Sequence, residues 1–295
     1  MSTAPHHPPL RVVTFNVYPQ AYAIVCQWAE QGGHRIELVV TTPGSKVRQT
    51  PSYQAVLSSA APTKDVLVTT RLRKVAQPLI SALQPDLIIS FSFPHRIPPE
   101  ICAIPRYGAV NLHPTVLPAY RGPNPLRPIY EGYPLLGATL HWTTAAFDTG
   151  NILAQHTMPL PVNITPEAVS ALWPPLRLGA LTEGIARAVA GDAGTAQDHR
   201  QATYAGFFTE EESWLTPADT QQVMQRKCTA LSFALSTGAK LRLGDQVYLV
   251  TRVDPLDAAQ LAAPGTIIEQ TDRGLTLQVA DGCVQIQATP VAMAG

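Results

Sequence analysis

Residues 86–92 read DLIISFS and residues 108–113 read GAVNLH, and these two apolar runs decide the fold class. Each predicts a buried β-strand. Residues 11–17 (RVVTFNV) and 35–42 (RIELVVTT) predict two earlier strands, and apolar residues at helical spacing over 19–33 predict a helix between them. Strands that alternate with helices predict a mostly parallel, Rossmann-like α/β sheet with helices on both faces.

The same pattern continues to residue 190. Residues 135–144 and 151–160 predict two further strands, and a long helical stretch follows at 165–190. We therefore expect one α/β domain over residues 1–190. The Gly- and Asp-containing segment that follows begins a predicted linker over residues 191–215.

The last part of the chain has a different character. Residues 216–235 predict a helix. Five short runs separated by turn residues predict strands at 240–243, 247–253, 265–269, 275–279 and 284–288. Short strands at such close spacing are typical of small barrels, so we expect a small OB-like β-barrel domain over residues 216–295.

The overall charge excludes a strong attraction to nucleic acid or to an acidic membrane surface. The 295 residues contain 21 Lys and Arg and 21 Asp and Glu, and only 14% of residues are charged. The two parts of the chain differ, however. Residues 1–194 hold 14 basic and 10 acidic residues (+4), whereas residues 195–295 hold 7 and 11 (−4).

The sequence predicts a cytoplasmic protein without a membrane anchor or a metal site. No apolar run approaches the roughly 18 residues that a membrane-spanning helix needs. The four cysteines are far apart in the sequence, so they fit neither a metal site nor a small disulfide framework. Scattered free thiols favour a reducing compartment. Residues 1–9 lack the apolar core of a signal peptide.

The densest group of polar and turn-forming residues lies at 111–125, NLHPTVLPAYRGPNP. Asn111 and His113 are two residues apart on a predicted strand, so their side chains face the same side. Ligands of parallel α/β sheets bind beyond the carboxyl ends of the strands, which is where this pair lies. Further along, the sequence FDTG at 147–150 places Asp148 on a turn. We expect these three side chains to form a catalytic site.

The three residue types suit transfer of an acyl group to an amine. Attack of an amine on a formyl carbon produces an oxyanion, which the amide N–H of Asn111 can stabilise. His113 titrates near neutral pH and can take the proton from the amine. Asp148 can orient the imidazole and favour its charged form. No G-x-S-x-G motif is present, and no cysteine lies near this segment, so a covalent nucleophile is not indicated.

The motif N-x-H-P-T-x-L-P-x-Y-R-G, followed by D-T-G-N-I-L, resembles the formyltransferases that use 10-formyltetrahydrofolate. That family includes enzymes acting on methionyl-tRNA, glycinamide ribonucleotide and amino-sugars, and the hydrolase domain of formyltetrahydrofolate dehydrogenase. The resemblance is specific from about residue 108 to 155. Residues 216–295 are similar to the C-terminal barrel of the methionyl-tRNA enzymes. The family's Asn, His and Asp match Asn111, His113 and Asp148.

The resemblance implies that 10-formyltetrahydrofolate is the formyl donor. It also implies a folate pocket formed by the loop after the histidine (114–118), the strand end at 91–93 and the loop of Asp148, and His141 on the neighbouring strand is a further candidate for its wall. The pocket residues are then Phe91, Ser92, Phe93, Thr115, Val116, Leu117, Pro118 and His141. Arg121 and Gly122 follow in the same loop and are candidate substrate-binding residues. Two simpler interpretations stay open, in which Arg121 braces the loop and His141 is a buried histidine with satisfied hydrogen bonds.

The sequence leaves the formyl acceptor open. The neutral charge and the acidic C-terminal part favour a small-molecule amine, such as an amino-sugar or a biosynthetic intermediate. Initiator methionyl-tRNA is the alternative, favoured by the two-domain layout and by the basic residues between 46 and 74. Hydrolysis of the donor and a non-catalytic folate- or nucleotide-binding module are further alternatives. The oligomeric state is not indicated.

Overall fold

The computed structural model describes residues 8–44, 52–60, 62–233, 238–258, 262–271 and 274–291. They fall into two compact units, each discontinuous in sequence. The first comprises Met1–Pro123, Gly137–Thr157 and Trp173–Tyr204; the second comprises Asn124–Leu136, Met158–Leu172 and Ala205–Gly295. The sequence predicted two consecutive domains joined by a linker. Their assignment as a catalytic domain and a C-terminal domain stays a prediction. By packing, residues 191–204 of the predicted linker belong to the first unit and 205–215 to the second.

A seven-stranded sheet forms the framework of the first unit, in the order β3-β2-β1-β4-β5-β6-β7. Its strands are β1 (Arg11–Asn16), β2 (Arg35–Thr41), β3 (Asp65–Val68), β4 (Leu87–Phe91), β5 (Ala109–His113), β6 (Leu135–Trp142) and β7 (Ile152–Pro159). The pairs among β1 to β5 are parallel, and β6 runs antiparallel to β5. The predicted mostly parallel, Rossmann-like sheet is therefore confirmed.

Helices cover both faces of this sheet. They are α1 (Pro19–Gly32), α2 (Tyr53–Ala60), a π-helical turn (Leu72–Ala76) that continues into α3 (Gln77–Leu83), α4 (Pro99–Cys102) and α6 (Pro166–Val189). Helix α5 (Arg127–Glu131) lies between α4 and α6 in the chain and belongs to the second unit. Val12 belongs to a buried cluster with α1 and α6, whereas Val13 belongs to a second cluster with α3. Successive strand side chains point to opposite faces, so a continuously apolar strand contributes side chains to the core on each face of the sheet.

The second unit contains a six-stranded sheet in the order β11-β12-β13-β10-β9-β8. Its strands are β8 (Trp214–Leu215), β9 (Ala239–Leu243), β10 (Gln246–Leu256), β11 (Ile267–Thr271), β12 (Gly274–Val279) and β13 (Gly282–Val291). The five predicted strands are confirmed, and β8 is an addition that the sequence did not predict. Whether the sheet is an OB-like barrel stays a prediction.

Helix α7 (Gln221–Ser232) precedes β9 and lies within the predicted 216–235. Its N-cap is Thr220, whose hydroxyl accepts a hydrogen bond from the amide of Val223 and so satisfies a free helical N–H group. The helix buries Met224 and Cys228 in the apolar core of the second unit. Short 3-10 turns occur at His199–Gln201 and Glu211–Ser213. Among the helices in the described part of the chain, none has the length and apolarity that crossing a membrane requires.

Candidate active site

The register between β5 and β6 assembles the centre of the candidate site. Asn111 lies directly opposite His141, and His113 lies opposite Thr139. Side chains that face each other across an antiparallel pair share one face of the sheet. Asn111, His113 and His141 therefore project to the same face, and Asp148 reaches them from the loop between β6 and β7.

The structure brings the three predicted catalytic side chains together. Asp148 Oδ1 lies 3.4 Å from His113 Nδ1 and 3.5 Å from Asn111 Nδ2. Asn111 Nδ2 is also 3.1 Å from His141 Nε2. His113 is 5% exposed and Asp148 7%, whereas Asn111 is only partly buried. Of these three, Asn111 thus offers the most surface to a ligand, and the catalytic roles themselves stay predictions.

The carbonyl partners of the two histidines fix the position of their protons. His113 Nε2 lies 2.9 Å from the carbonyl oxygen of Tyr120, and an oxygen of this kind only accepts hydrogen bonds. The neutral His113 ring therefore carries its hydrogen on Nε2, and its free lone pair on Nδ1 faces Asp148. His141 Nδ1 donates to the carbonyl of Trp142 at 2.8 Å, so its Nε2 accepts from Asn111.

These surroundings change the acidity of the buried pair. Burial lowers the pKa of His113, while Asp148 and the Tyr120 carbonyl act in the opposite direction. Burial raises the pKa of Asp148, but His113, His141 and the amide of Gly122 outweigh it and lower that pKa to about 2. Near neutral pH, Asp148 is thus ionised and His113 is largely a free base. A proton that arrives at His113 Nδ1 is held between the two side chains.

The turn that carries Asp148 has an unusual backbone. Asp148 has a φ of 57°, in the left-handed region that most residues avoid. Its Oδ2 accepts a hydrogen bond from the amide of Gly122 at 2.9 Å. A side chain at Gly150 would collide with the carbonyl of Trp142, which explains the glycine of the D-T-G motif. The turn is therefore shaped to aim the Asp148 carboxylate inward.

The loop after His113 places only some of the predicted folate residues at the surface. Thr115 and Leu117 are each 2% exposed. The Thr115 hydroxyl donates to the carbonyls of Ala119 and Tyr120, and so supports the loop from within. Val116 and Pro118 are partly exposed. Direct side-chain contact of Thr115 or Leu117 with a ligand is thus not supported, because both side chains are buried in the loop.

The end of β4 shows a similar division. Phe91 is 1% exposed and Phe93 is 8% exposed, and the Phe93 ring packs edge-on against Phe15 at 5.2 Å. Ser92 between them is partly exposed and has a φ of 57°. The two phenylalanine side chains are buried in the core, and a part of either residue in the folate pocket stays a prediction. His141, at 2% exposure and with both ring nitrogens hydrogen-bonded, fits the structural interpretation better than that of a pocket wall.

Arg121 braces the site through neutral partners. Its Nη2 donates to Gln197 Oε1 at 2.6 Å and to His199 Nδ1 at 2.9 Å. This geometry supports the bracing interpretation. Gly122, with a φ of 111°, contributes its amide to Asp148, so substrate binding by either residue stays a prediction.

Sequence reasoning missed two side chains near the site. Gln197 is buried and hydrogen-bonds to the Asp148 turn, but it lies in the segment that was expected to be a linker. Arg177 packs its guanidinium over Trp173 at 4.1 Å and Phe91 at 5.5 Å, and burial lowers its pKa to about 9. Neither residue lies in a recognisable motif, so the sequence held no signal for them. Within the described residues, no three His, Cys, Asp or Glu side chains are grouped to hold a metal ion.

Comparison with known families identifies the family of this chain. The family model described as formyl transferase matches residues 11–172, which is more than half of the chain. The chain belongs to the formyl transferase family. The matched residues include Asn111, His113 and Asp148, and the predicted enzyme class and family are confirmed.

Relatives of this formyltransferase include the methionyl-tRNA formyltransferase of Acidobacterium capsulatum. The two are 32% identical over 246 residues, which cover 80% of this chain and 78% of the relative. Among solved structures, HypX from Aquifex aeolicus in complex with tetrahydrofolic acid has a TM-score of 0.67 at 18% identity. The match covers 94% of this chain and 43% of HypX. The formyltransferase thus spans less than half the length of HypX.

A second structural neighbour is the N-formyltransferase of Helicobacter canadensis, solved with folinic acid and dTDP-3-aminofucose. Its TM-score is 0.64 at 14% identity, and the match covers 95% of this chain and 99% of the neighbour. At these identities, the structural comparisons establish the shared fold. The formyltransferase therefore shares the fold of this N-formyltransferase and of the matched part of HypX.

Proposed function

We propose that this formyltransferase moves a formyl group from 10-formyltetrahydrofolate to the primary amine of a small molecule. The observation that carries the proposal is the buried arrangement of Asn111, His113 and ionised Asp148 at the end of β5. This set offers an amide donor for a developing oxyanion and a base for the proton of the amine. Family membership supports formyl transfer as the reaction.

The donor set of the site fits a formyl folate. The bound folate would supply the formyl carbon. Asn111 Nδ2 presents two N–H groups, one directed at His141 and one at Asp148 across a long 3.5 Å. The longer bond is weak, so a formyl oxygen can replace Asp148 as the acceptor of this N–H at little cost, while the bond to His141 is kept. Backbone at Ser92 and the partly exposed Val116 and Pro118 are available to hold the folate rings.

In this mechanism His113 takes up the proton of the attacking amine. It would return that proton to the folate nitrogen as the bond between this nitrogen and the formyl carbon breaks. The free lone pair lies on Nδ1, because Nε2 donates to the Tyr120 carbonyl. Protonation creates an imidazolium beside the Asp148 carboxylate at 3.4 Å, and this attraction stabilises the charged ring. His141 keeps the Asn111 amide oriented by accepting one of its N–H groups.

The charges of the second unit support a small acceptor. Four of its described cations are held in ion pairs with carboxylates: Arg127, Lys227, Lys240 and Arg252. A surface that binds tRNA needs cations that are free to contact phosphates. The guanidinium of Arg242 lies over the Trp214 ring at 5.3 Å instead. The basic side chains of this unit are thus largely committed to other partners.

Initiator methionyl-tRNA is the second candidate acceptor, because a relative of 32% identity carries that activity in its name. Exposed Arg71 and Lys74 lie near the start of α3 and provide a basic surface for phosphates. Arg73 is exposed there too, although it forms an ion pair with Glu100. Lys46 and Arg48, which the sequence added to this basic region, lie outside the described residues.

An acceptor screen tests the proposal. The protein is mixed with 10-formyltetrahydrofolate and individual amines, tetrahydrofolate release is followed by absorbance, and products are examined by mass for one added formyl group. Release that requires a small amine, and is lost in Asn111→Ala, supports the proposal. Release that requires methionyl-tRNA and weakens steeply with salt replaces it with the second candidate. Release without acceptor indicates a hydrolase, and folate binding without release indicates a binding module.

A further inference from the structure

Residues 191–204 run alongside the candidate site and are anchored at two points. Thr195 and Ile152 exchange backbone hydrogen bonds of 2.8 Å in both directions. Further along, the carbonyl of Thr203 accepts from the amide of Arg121 at 2.9 Å. Gln197 lies between these anchors and is 7% exposed. A segment held at both ends therefore presents one buried amide side chain to the catalytic loops.

The Gln197 carboxamide uses its full hydrogen-bonding capacity. Its Nε2 donates to the carbonyl of Asp148 at 3.0 Å and to the carbonyl of Gly150 at 2.7 Å. Its Oε1 accepts from Arg121 Nε at 3.2 Å and from Arg121 Nη2 at 2.6 Å. A primary amide has two N–H donors and two acceptor positions, and all four are occupied here. No other residue type of this size supplies both sets.

The two loops that Gln197 connects also meet at the Asp148 carboxylate. The amide of Gly122, the residue after Arg121, donates to Asp148 Oδ2 at 2.9 Å. Asp148 itself has left-handed backbone geometry, which persists only when surrounding contacts enforce it. Gln197 supplies two such contacts to the turn, and it fixes the neighbouring loop at the same time.

We propose that Gln197 is a positioning residue, which locks the Asp148 turn to the Arg121–Gly122 loop and so aims the Asp148 carboxylate at His113 Nδ1. The inference deepens the proposed function and rests on it where turnover is concerned. The claim that Gln197 holds the Asp148 turn in place, however, depends only on contacts within this chain. Gln197 lies outside residues 11–172, which the family model covers.

Loss of the Gln197 contacts should shift the pKa of His113 in a direction that the surrounding charges determine. The charged and titratable groups that face His113 are Asp148, His141 and Arg121, together with the carbonyl dipole of Tyr120. If the Asp148 turn loosens, the carboxylate moves away and the protonated ring loses its attraction. Arg121 keeps its positive charge and its contact with His199 in the variant, so its repulsion of the imidazolium is present in both proteins. Loss of the Asp148 attraction therefore makes His113 titrate at lower pH than in the wild type.

Three variants separate this role from a general effect on folding. Gln197→Leu keeps the size of the side chain and removes all four hydrogen bonds. Gln197→Glu keeps the acceptors for Arg121 but cannot donate to the carbonyls of Asp148 and Gly150. Gln201→Leu is the control, because Gln201 is exposed in the same segment. For each, the melting temperature, kcat, the dissociation constant for the folate and the NMR titration of the His113 ring without folate are measured.

We expect both Gln197 variants to lower kcat by roughly 10- to 100-fold, the scale of a misplaced catalytic group, with folate affinity within about threefold of wild type. Gln197→Leu should also move the His113 titration to lower pH, whereas Gln201→Leu should change nothing. Unchanged kcat and unchanged titration in a folded Gln197→Leu protein would overturn the inference. If that variant does not fold, the kcat of Gln197→Glu decides in the same way. An inactive wild type, together with a shifted titration, would refute the proposed function and leave the positioning role intact.

Discussion

Two polar networks, one in each unit, use similar residue types with different geometry. In the second unit, Arg127 donates to Glu212 Oε2 at 3.0 Å and to the backbone carbonyls of Gly206 and Phe207 at 3.2 Å. In the first unit, Asp148 Oδ1 meets Asn111 and His113 at 3.5 and 3.4 Å. In the Arg127 network, the guanidinium is paired at short range with the Glu212 carboxylate. The Asp148 network leaves a lone pair of His113 facing a carboxylate.

The difference separates a structural network from a reactive one. A matched, hydrogen-bonded ion pair stabilises one arrangement and has no place for another proton. The Asp148 network has room for one proton at His113 Nδ1, and its Asn111 bond is long enough to exchange for a ligand. Substitutions in the Asp148 network should therefore lower kcat. Substitutions in the Arg127 network should lower the free energy of unfolding.

Substitution of His113 should have the largest effect. His113→Ala removes the group that accepts the proton of the amine, so kcat should fall by roughly 10²- to 10⁴-fold while folate still binds. Steady-state kinetics with the identified acceptor and equilibrium binding of the folate measure the two quantities. His156→Ala is the matched control, because His156 is a surface histidine paired with Glu183, and its kcat should stay at the wild-type value. Full activity of His113→Ala would contradict the assignment.

Asn111→Ala should rank second. It removes the donor for the developing oxyanion, and loss of one such donor typically lowers kcat by ~10²–10³-fold. The KM for the folate should change less than kcat, because the interaction strengthens during the reaction. Asn163→Ala, at an exposed position, serves as the control. A loss confined to KM would show that Asn111 only binds the ground state.

Arg127→Met should affect stability and leave chemistry intact. It breaks several charge-assisted hydrogen bonds of a side chain that is 13% exposed, so the free energy of unfolding should fall by about 1.5–3 kcal/mol. Denaturant unfolding measures this loss. The pair of Lys240 and Glu210, whose side chains are 28% and 59% exposed, provides a comparison, and Lys240→Met should cost less than about 1 kcal/mol. A folded Arg127→Met protein with strongly reduced kcat would break the proposed division.

The pH dependence should show the smallest, but most specific, effect. Protonated His113 cannot accept a proton, so kcat/KM should decline as the pH falls through the pKa of His113. Burial lowers that pKa, which places the decline below the usual histidine range. Asp148→Asn removes the group that raises the pKa of His113, so the acid limb should move to still lower pH, with a lower plateau. A limb that moves to higher pH in this variant would show that another group titrates.

The site was predictable where its residues lie in short sequence motifs. Asn111 and His113 follow from their two-residue spacing at a strand end, and Asp148 from the D-T-G turn. Phe91 and Leu117 were assigned to the folate pocket, yet their side chains lie in the core. Sequence position alone does not say which face of a strand end or loop is buried. That face depends on which helix packs against it.

The sequence by itself determined the alternation of strands and helices, the sheet class, the three candidate catalytic residues and the family resemblance. These depend on side-chain periodicity and on residue types close together in the chain. Only the tertiary structure decided the proton positions on His113 and His141, the second contact of Asn111 and the part played by Gln197. Gln197 is 49 residues from Asp148 and 76 from Arg121 in sequence. Contacts over such separations arise only when the sheet and its loops have packed, so no local pattern encodes them.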